Sequence, residues 1–382
     1  MIMCTVASIA ILAPVQAVDA SEDTPHYSFA AVPLVSYSSD VGLGLGLRAF
    51  VQRKLNDDTS PPMALEAQGF ATTGGTQLHF LHLDLPGLLD AKTRLDVLAG
   101  YARNTAAPYY GIGNHAAPLA STPSSFYSYT EDAPLVRLRL RRRIWGSLSI
   151  LLGYRLLLDS VGVAPDTLLA AQTPLGTAGD RFSEIALGLA FDTRDEELSP
   201  TNGVLIEGTL RATAPVLGAS QSSLGSFFSA SAYRTLVPRL VLAGRIAVDA
   251  IWGSVPFDRL QDFGSLVSPF FLLDGVGGGT TVRGLIQSEY IGHTKAIGNV
   301  ELRWQFLQLS VWHEQVGLSA LAFADAGRVW DGPDPADLPD LGLHFGTGGG
   351  LRIAWGKTVL LRADAGYAEG RVRLYADFGH VF

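Results

Sequence analysis

The chain has 382 residues, of which 47% are hydrophobic and only 17% charged, with a mean hydropathy of +0.22 and a formal net charge of −8. That balance is too apolar for an ordinary soluble domain of this length, and an acidic chain with no basic block beyond Arg141–Arg142–Arg143 is not built to hold nucleic acid. The sole cysteine is Cys4, so disulfides, thiolate catalysis and cysteine-ligated zinc are excluded from everything after the first residues.

In chain order, residues 1–20 read as an export signal. Val6 to Val18 is uncharged and largely apolar, and Val15-Gln16-Ala17 or Val18-Asp19-Ala20 offers small-residue cleavage chemistry, although no Lys or Arg precedes the apolar run. Residues 21–27 form a short periplasmic lead-in, and 28–382 form one long domain. Beyond the N-terminus every apolar run is broken by Gly, Arg, Asp or Ser well before the roughly 20 residues that a transmembrane helix needs. The remaining way to satisfy backbone hydrogen bonds in lipid is a closed barrel. Period-two alternation gives sixteen strands: 28–37, 42–53, 62–72, 75–85, 92–103, 133–143, 146–159, 182–193, 202–214, 222–236, 239–252, 294–308, 315–327, 343–355, 358–367 and 371–382. The count is even, as for a bacterial single-chain barrel with both ends in the periplasm. The fold expected is all-β: a sixteen-stranded antiparallel transmembrane β-barrel.

The clearest strands sort their residues by face. Val300, Leu302, Trp304 and Phe306 oppose Asn299, Glu301, Arg303 and Gln305; Val372, Leu374, Ala376, Phe378 and Phe382 oppose Arg371, Arg373, Tyr375 and Asp377. Arg137, Arg139, Arg141 and Arg143 share one face against Leu138 and Leu140. In a barrel those arginines line a watery lumen, since each costs about 2–4 kcal/mol at the lipid midplane. A soluble β-sandwich shows the same alternation with its apolar face turned inward. The export-like segment, the missing cysteines and the final Phe favour the barrel.

Connection lengths set the orientation, because periplasmic turns are short and outer loops long. The tight connections Ile144-Trp145, Val237-Pro238 and Gly356-Lys357 follow even-numbered strands. The long ones, 104–132, 160–181, 253–293 and 328–342, follow odd-numbered strands. The sixth outer loop, between strands eleven and twelve, contains Gly277-Gly278-Gly279-Thr280-Thr281-Val282-Arg283-Gly284. An arginine set among glycines on a backbone free to fold back tightly points to a specific seat for this loop.

Five segments resemble the bacterial surface antigen superfamily of outer-membrane proteins, which includes the barrel-assembly (Bam) and translocation-assembly (Tam) barrels and the two-partner-secretion transporters. They are Pro33-Leu34-Val35-Ser36-Tyr37-Ser38; Phe191-Asp192-Thr193-Arg194-Asp195 with Pro200 and Gly203; Val282-Arg283-Gly284-Leu285; Ala322-Phe323-Ala324-Asp325-Ala326-Gly327; and the closing strand to Phe382. The resemblance implies a sixteen-stranded barrel whose sixth loop folds into the lumen. It implies that Arg283, with Val282 and Gly284, locks the loop to Asp325 and to Glu301 as a second acid. Phe191, Asp192, Arg194, Phe323 and Gly327 carry the barrel motifs, and Phe378 and Phe382 act as a terminal assembly signal. A guanidinium offers the planar fork that suits a carboxylate, and lysine does not replace it. The pair either pins a plug loop or takes part in gating. Leu285 stands where the family usually has an aromatic residue.

Relatives that assemble or translocate proteins carry polypeptide-transport-associated (POTRA) domains before the barrel, and here the expected signal gives way to strand one with no room for one. The resemblance therefore implies a barrel that inserts or translocates protein or lipid with a partner, in contact with outer-membrane lipid, with the assembly machinery during biogenesis, and with a periplasmic partner or client. The competing class is a structural or passive diffusion barrel with a plugged lumen, and the third a lipid-acting outer-membrane enzyme. No G-x-S-x-G elbow, H-E-x-x-H pair or phosphate-binding loop occurs, and His79 and His82 face opposite sides of one strand, so no enzyme, metal or cofactor is expected. Tyr109-Tyr110-Gly111-Ile112-Gly113-Asn114 reads as an interfacial girdle or a ligand platform, Trp304, Trp312, Trp330 and Trp355 as girdle residues, and Asp195 to Glu197 as a solvated periplasmic turn.

Overall fold

The computed structural model describes residues 26–38, 42–54, 63–116, 118–119, 121–267, 275–311, 314–331, 342–355 and 359–382. The expected export signal, the turn Gly356-Lys357 and Trp312 lie outside these residues. Among the described residues there are sixteen strands: β1 (His26–Ser38), β2 (Gly42–Lys54), β3 (Met63–Thr72), β4 (Gln77–Pro86), β5 (Thr93–Pro108), β6 (Ser128–Trp145), β7 (Leu148–Gly162), β8 (Asp180–Asp192), β9 (Gly203–Thr213), β10 (Ser223–Val237), β11 (Leu240–Gly253), β12 (Thr294–Val311), β13 (Glu314–Trp330), β14 (His344–Trp355), β15 (Val359–Ala368) and β16 (Arg371–Phe378). They form one antiparallel sheet in strict chain order, each strand paired with its sequence neighbours. Among the described residues no ladder joins β16 to β1.

The distribution of side chains decides between barrel and sandwich. Leu45, Leu81, Leu187, Leu210, Ile246, Trp304, Leu351 and Leu374 are exposed, whereas Arg137, Arg139, Arg211, Arg245, Arg303, Arg352 and Arg362 are buried. A sandwich hides its apolar face; this sheet shows its apolar face and hides its charges, as a lipid-facing wall requires. Residues far apart along the sheet meet across its inner face. Asn114, between β5 and β6, donates to the Gly342 carbonyl at 2.8 Å and accepts from the Val329 amide of β13 at 3.0 Å. Arg94 of β5 reaches Glu197, between β8 and β9, at 2.8 Å. Such contacts require the sheet to curl round on itself.

Several expectations are corrected. Strand β6 runs on through Trp145, so the tight turn is Gly146–Ser147, and β5 and β6 extend toward the outer side to Pro108 and Ser128. All the long outer connections follow odd-numbered strands as expected, but short ones occur there too, at Thr73–Thr76 and Glu369–Gly370. A short helix, α1 (Leu168–Gln172), lies in the β7–β8 loop, with Thr167 accepting from the Ala170 amide. Tyr109 and Tyr110 are not an exposed girdle: both are buried beneath the outer loops, Tyr109 edge-on to Phe257 and Tyr110 against Tyr127, and the segment 109–116 lines a pocket with Gln172 and Asp331.

The end of the chain departs most. β16 stops at Phe378, and Gly379 turns with φ +78°, so the next three residues leave the strand. Phe382 does not share the lipid face with Leu374. Its ring lies 5.1 Å from the Arg245 guanidinium and 5.3 Å from that of Arg303, 6.3 Å from the Tyr233 ring, and its carbonyl accepts from Arg303 at 3.0 Å. An aromatic face between two guanidiniums gains cation–π attraction that the lipid side does not offer.

Candidate functional site

Between β11 and β12 the chain does not stay on the outer rim. Val276 and Tyr290 bridge each other, and Thr281 donates to the Gly275 carbonyl while accepting from the Gly277 amide, closing a compact excursion with Val282-Arg283-Gly284-Leu285 at its tip. Leu285 fills a cluster with Phe227, Phe263, Val276, Val282, Tyr290, Ile297 and Val329, so a branched aliphatic side chain occupies the position where the family places an aromatic ring. Gly284 has φ +105°, and a Cβ there would stand 2.6 Å from the Ala368 amide nitrogen; only glycine fits.

Arg283 is wholly buried and spends every face of its guanidinium on the wall. Nε and Nη2 donate to the two oxygens of Asp325 at 2.8 and 2.9 Å, a fork-to-fork contact. Nη1 donates to Glu301 at 2.6 Å and lies 3.4 Å from Asp364, and the Arg283 amide adds a bond to Asp325 at 3.1 Å. The guanidinium carbon lies 3.5 Å from the Phe323 ring centroid. The F-x-D-x-G pattern of β13 thus becomes a seat: Phe323 is the floor and Asp325 the fork. Gly327 leaves the space that Val276 and Val282 need, since a Cβ there would come within 2.8 Å of both side chains. Glu301 in turn accepts from Arg303 at 2.8 Å, and Asp364 from Arg352 at 2.6 Å. Three carboxylates and three guanidiniums close the network, which offsets the desolvation cost of burying any one of them.

Around this centre, Asn299 donates to Asp325 at 2.8 Å and to the Thr281 carbonyl at 2.6 Å, and Arg245 donates to the Thr280 carbonyl at 2.7 Å. The Tyr375 hydroxyl of β16 donates to the Leu285 carbonyl and accepts from the Gly284 amide. An earlier part of the same loop has a separate anchor. Asp249 accepts from Arg211, Lys295 and the Gly264 amide, and Glu207 accepts from the Leu266 and Val267 amides and the Ser265 hydroxyl.

Of the residues expected from sequence, Val282, Arg283, Gly284, Glu301, Asp325, Phe323 and Gly327 come together here. Phe191, Asp192 and Arg194 lie elsewhere: Phe191 is exposed on the outer face, while Asp192 accepts from Arg194 at 3.0 and 2.9 Å and from Arg141 at 3.3 Å, clipping the β8–β9 turn. In that turn Asp195 accepts from the Thr201 side chain and from the Thr201 and Asn202 amides, and these bonds, against the raising effect of partial burial, hold its carboxyl below the usual range. Glu197 pairs with Arg94 and Arg141, so the turn is braced rather than merely solvated. Asp364, Asn299 and Tyr375 were not anticipated. The signal for Asp364 was present in Arg362-Ala363-Asp364-Ala365, which alternates charged and small residues.

Sixteen antiparallel strands with an exposed apolar face, a buried charged face and a long loop seated on the inner wall define an outer-membrane β-barrel. Residues 76–378 match the Omp85 superfamily domain, and the chain belongs to that superfamily. Its place is the bacterial outer membrane. Among solved structures it is similar to BamA from Haemophilus ducreyi lacking POTRA domains 1–3, with 15% identity and a TM-score of 0.52 over 98% of this chain and 76% of that one. It is also similar to CdiB from Escherichia coli, with 14% identity and a TM-score of 0.59 over 97% of this chain and 66% of that one, just under two thirds of its length. At these identities the likeness is one of fold. None of the curated proteins matches the chain.

Proposed function

We propose that the protein inserts protein or lipid into the outer membrane, or passes it across, together with a partner polypeptide that supplies client capture, and that its sixth loop is the plug. One observation carries the reading. The loop is tied at once to β12, β13 and β15 through Arg283 and to β16, the last strand of the sheet, through Tyr375. A plug bonded to four strands of the inner wall, the last strand of the sheet among them, couples the state of the lumen to the arrangement of those strands.

The test is site-specific photocrosslinking in living cells from Phe29, an exposed residue of β1, with identification of what is captured. A periplasmic partner or an unfolded outer-membrane client is the expected result. Solute flux through the purified protein in liposomes, with nothing captured at Phe29, would favour a passive barrel instead.

A delivery role for Phe378 and Phe382 is part of the same proposal. Phe382→Ala is expected to lower the amount of protein reaching the outer membrane without reducing export from the cytoplasm, as read by fractionation. Unchanged levels would leave Phe382 only its contacts with Arg245 and Arg303.

A further inference from the structure

We propose that the outer mouth of the barrel holds a divalent metal cation, calcium by the nature of its donors, between Glu131 of β6, Asp159 of β7 and Asp258 of the sixth loop. These residues are far apart in sequence, and the fold brings one carboxylate oxygen from each to within 4.8 Å of the others. Two oxygens on one calcium ion, each at 2.3–2.6 Å, stand at most about 5 Å apart, so the spacing suits a single ion.

The second observation is the state of the oxygens themselves. The side chains of Asp159 and Asp258 are each only 1% exposed. Neither carboxylate oxygen of Asp159 has a hydrogen-bond partner, nor has Oδ1 of Asp258. Buried carboxylates are rarely left in this condition, because each loses its hydration without replacement. Arg259 satisfies the cluster only in part: Nη2 donates to Oδ2 of Asp258 at 3.0 Å and, at 3.4 Å, to Glu131, and lies 3.3 Å from Asp159 without a hydrogen bond to it. Charge-assisted bonds are normally about 2.7–2.9 Å, the range Arg283 reaches with Asp325. One guanidinium hydrogen-bonding edge is being shared among three acids.

Charge counting points the same way. The cluster contains four carboxylates, Glu131, Asp159, Asp258 and Asp262, and the guanidiniums that touch them are Arg259 and Arg155, with Arg155 also facing Glu184. Asp180, directly opposite Asp159 in the β7–β8 ladder, adds a further buried oxygen without a partner. The lock around Arg283 balances its charges three to three; here the four acids that touch Arg259 and Arg155 exceed those two guanidiniums by two negative charges, with Asp180 and Glu184 uncounted, and a divalent cation offsets that excess. All-oxygen donors select a hard cation, and an irregular set of carboxylates held by three separate elements favours calcium over the strict octahedron of magnesium. Tyr129 and Phe257 pack together beside the cluster, and Phe182 lies 5.9 Å from the Arg259 guanidinium, so the site is walled by aromatic rings. The ion would tether the start of the sixth loop to β6 and β7, at a place remote in sequence from Arg283.

The experiment uses the full chain folded in detergent, free of lipopolysaccharide and stripped with a chelator, with terbium as the probe and excitation through the neighbouring tyrosine. Saturable terbium luminescence displaced by calcium is expected, together with a rise in the unfolding temperature on adding calcium. Asp159→Asn and Asp258→Asn should each weaken terbium binding at least about tenfold, since ligand charge sets the affinity of such sites, while Asp195→Asn on the periplasmic turn should leave it unchanged. Absence of displaceable luminescence from the unsubstituted protein overturns the proposal without reliance on any variant. So does a stability that responds to pH but not to calcium, which would mean that protons carry the excess charge, or undiminished binding by a folded Asp159→Asn protein.

Discussion

Arg283→Ala is expected to free the segment 275–293 from the barrel wall and to lower stability by about 3–5 kcal/mol, the usual cost of removing one partner from a buried ion-pair network. The reason is the geometry of what remains. Asp325 loses its fork, Glu301 loses the shorter of its two cationic contacts, and the Phe323 ring loses its cation, all inside a region closed to water. An exposed pair would cost at most about 1 kcal/mol, so the size of the effect itself reports burial. Arg283→Lys should fall between the two, because one ammonium cannot make both bonds to Asp325 and still reach Glu301. The readouts are protease cleavage within 275–293 on intact cells and single-channel conductance of the purified protein, both rising in the order wild type, lysine, alanine. If Arg283→Ala and Asp325→Ala each leave both measurements unchanged, the contact does not hold the loop.

Most of the wall was legible because a membrane strand announces itself twice, by alternation and by the chemistry of each face. In β12 the apolar set Val300, Leu302 and Trp304 faces outward and the polar set Asn299, Glu301 and Arg303 inward, as the pattern required. The same reasoning failed at Phe382. Alternation continues through Phe378 and says nothing of a glycine that turns the chain, and a phenylalanine between two arginines looks in sequence like any lipid-facing phenylalanine. The lock was half legible. Arg283, Glu301 and Asp325 were reached through motif and face, but Asp364 and Tyr375 join them only because β15 and β16 curl round beside the loop. The mouth cluster was not legible at all. Glu131, Asp159 and Asp258 occupy two strand ends and a loop, with no motif spacing between them, and only the barrel's curvature and the return of the loop bring them together.

The second large effect is expected at Asp249, which is fully buried and has no exposed route to compensation. Its carboxylate accepts from Arg211 at 2.5 and 2.7 Å, from Lys295 at 3.2 Å and from the Gly264 amide at 2.9 Å. Asp249→Ala strands two buried cations at once, leaving Arg211 with Glu184 at 3.3 Å, and removes one of the two bonds that hold Gly264 to the wall, the other being from the Thr209 hydroxyl to its carbonyl at 2.7 Å. A loss of about 3–5 kcal/mol is expected, with new protease sensitivity in 262–267. Asp249→Asn should cost less, since the amide oxygen still accepts one bond from Arg211 or Gly264. This anchor and the Arg283 lock share no hydrogen-bond partner, so the double variant discriminates between two ways of holding the loop. If the loop is held independently at two points, the losses in Arg283→Ala and Asp249→Ala should add to within about 0.5 kcal/mol, and each single variant should free only its own segment. If either release frees both segments, the loop moves as one body, the losses fall short of additivity, and a single event at the wall is enough to release the whole loop.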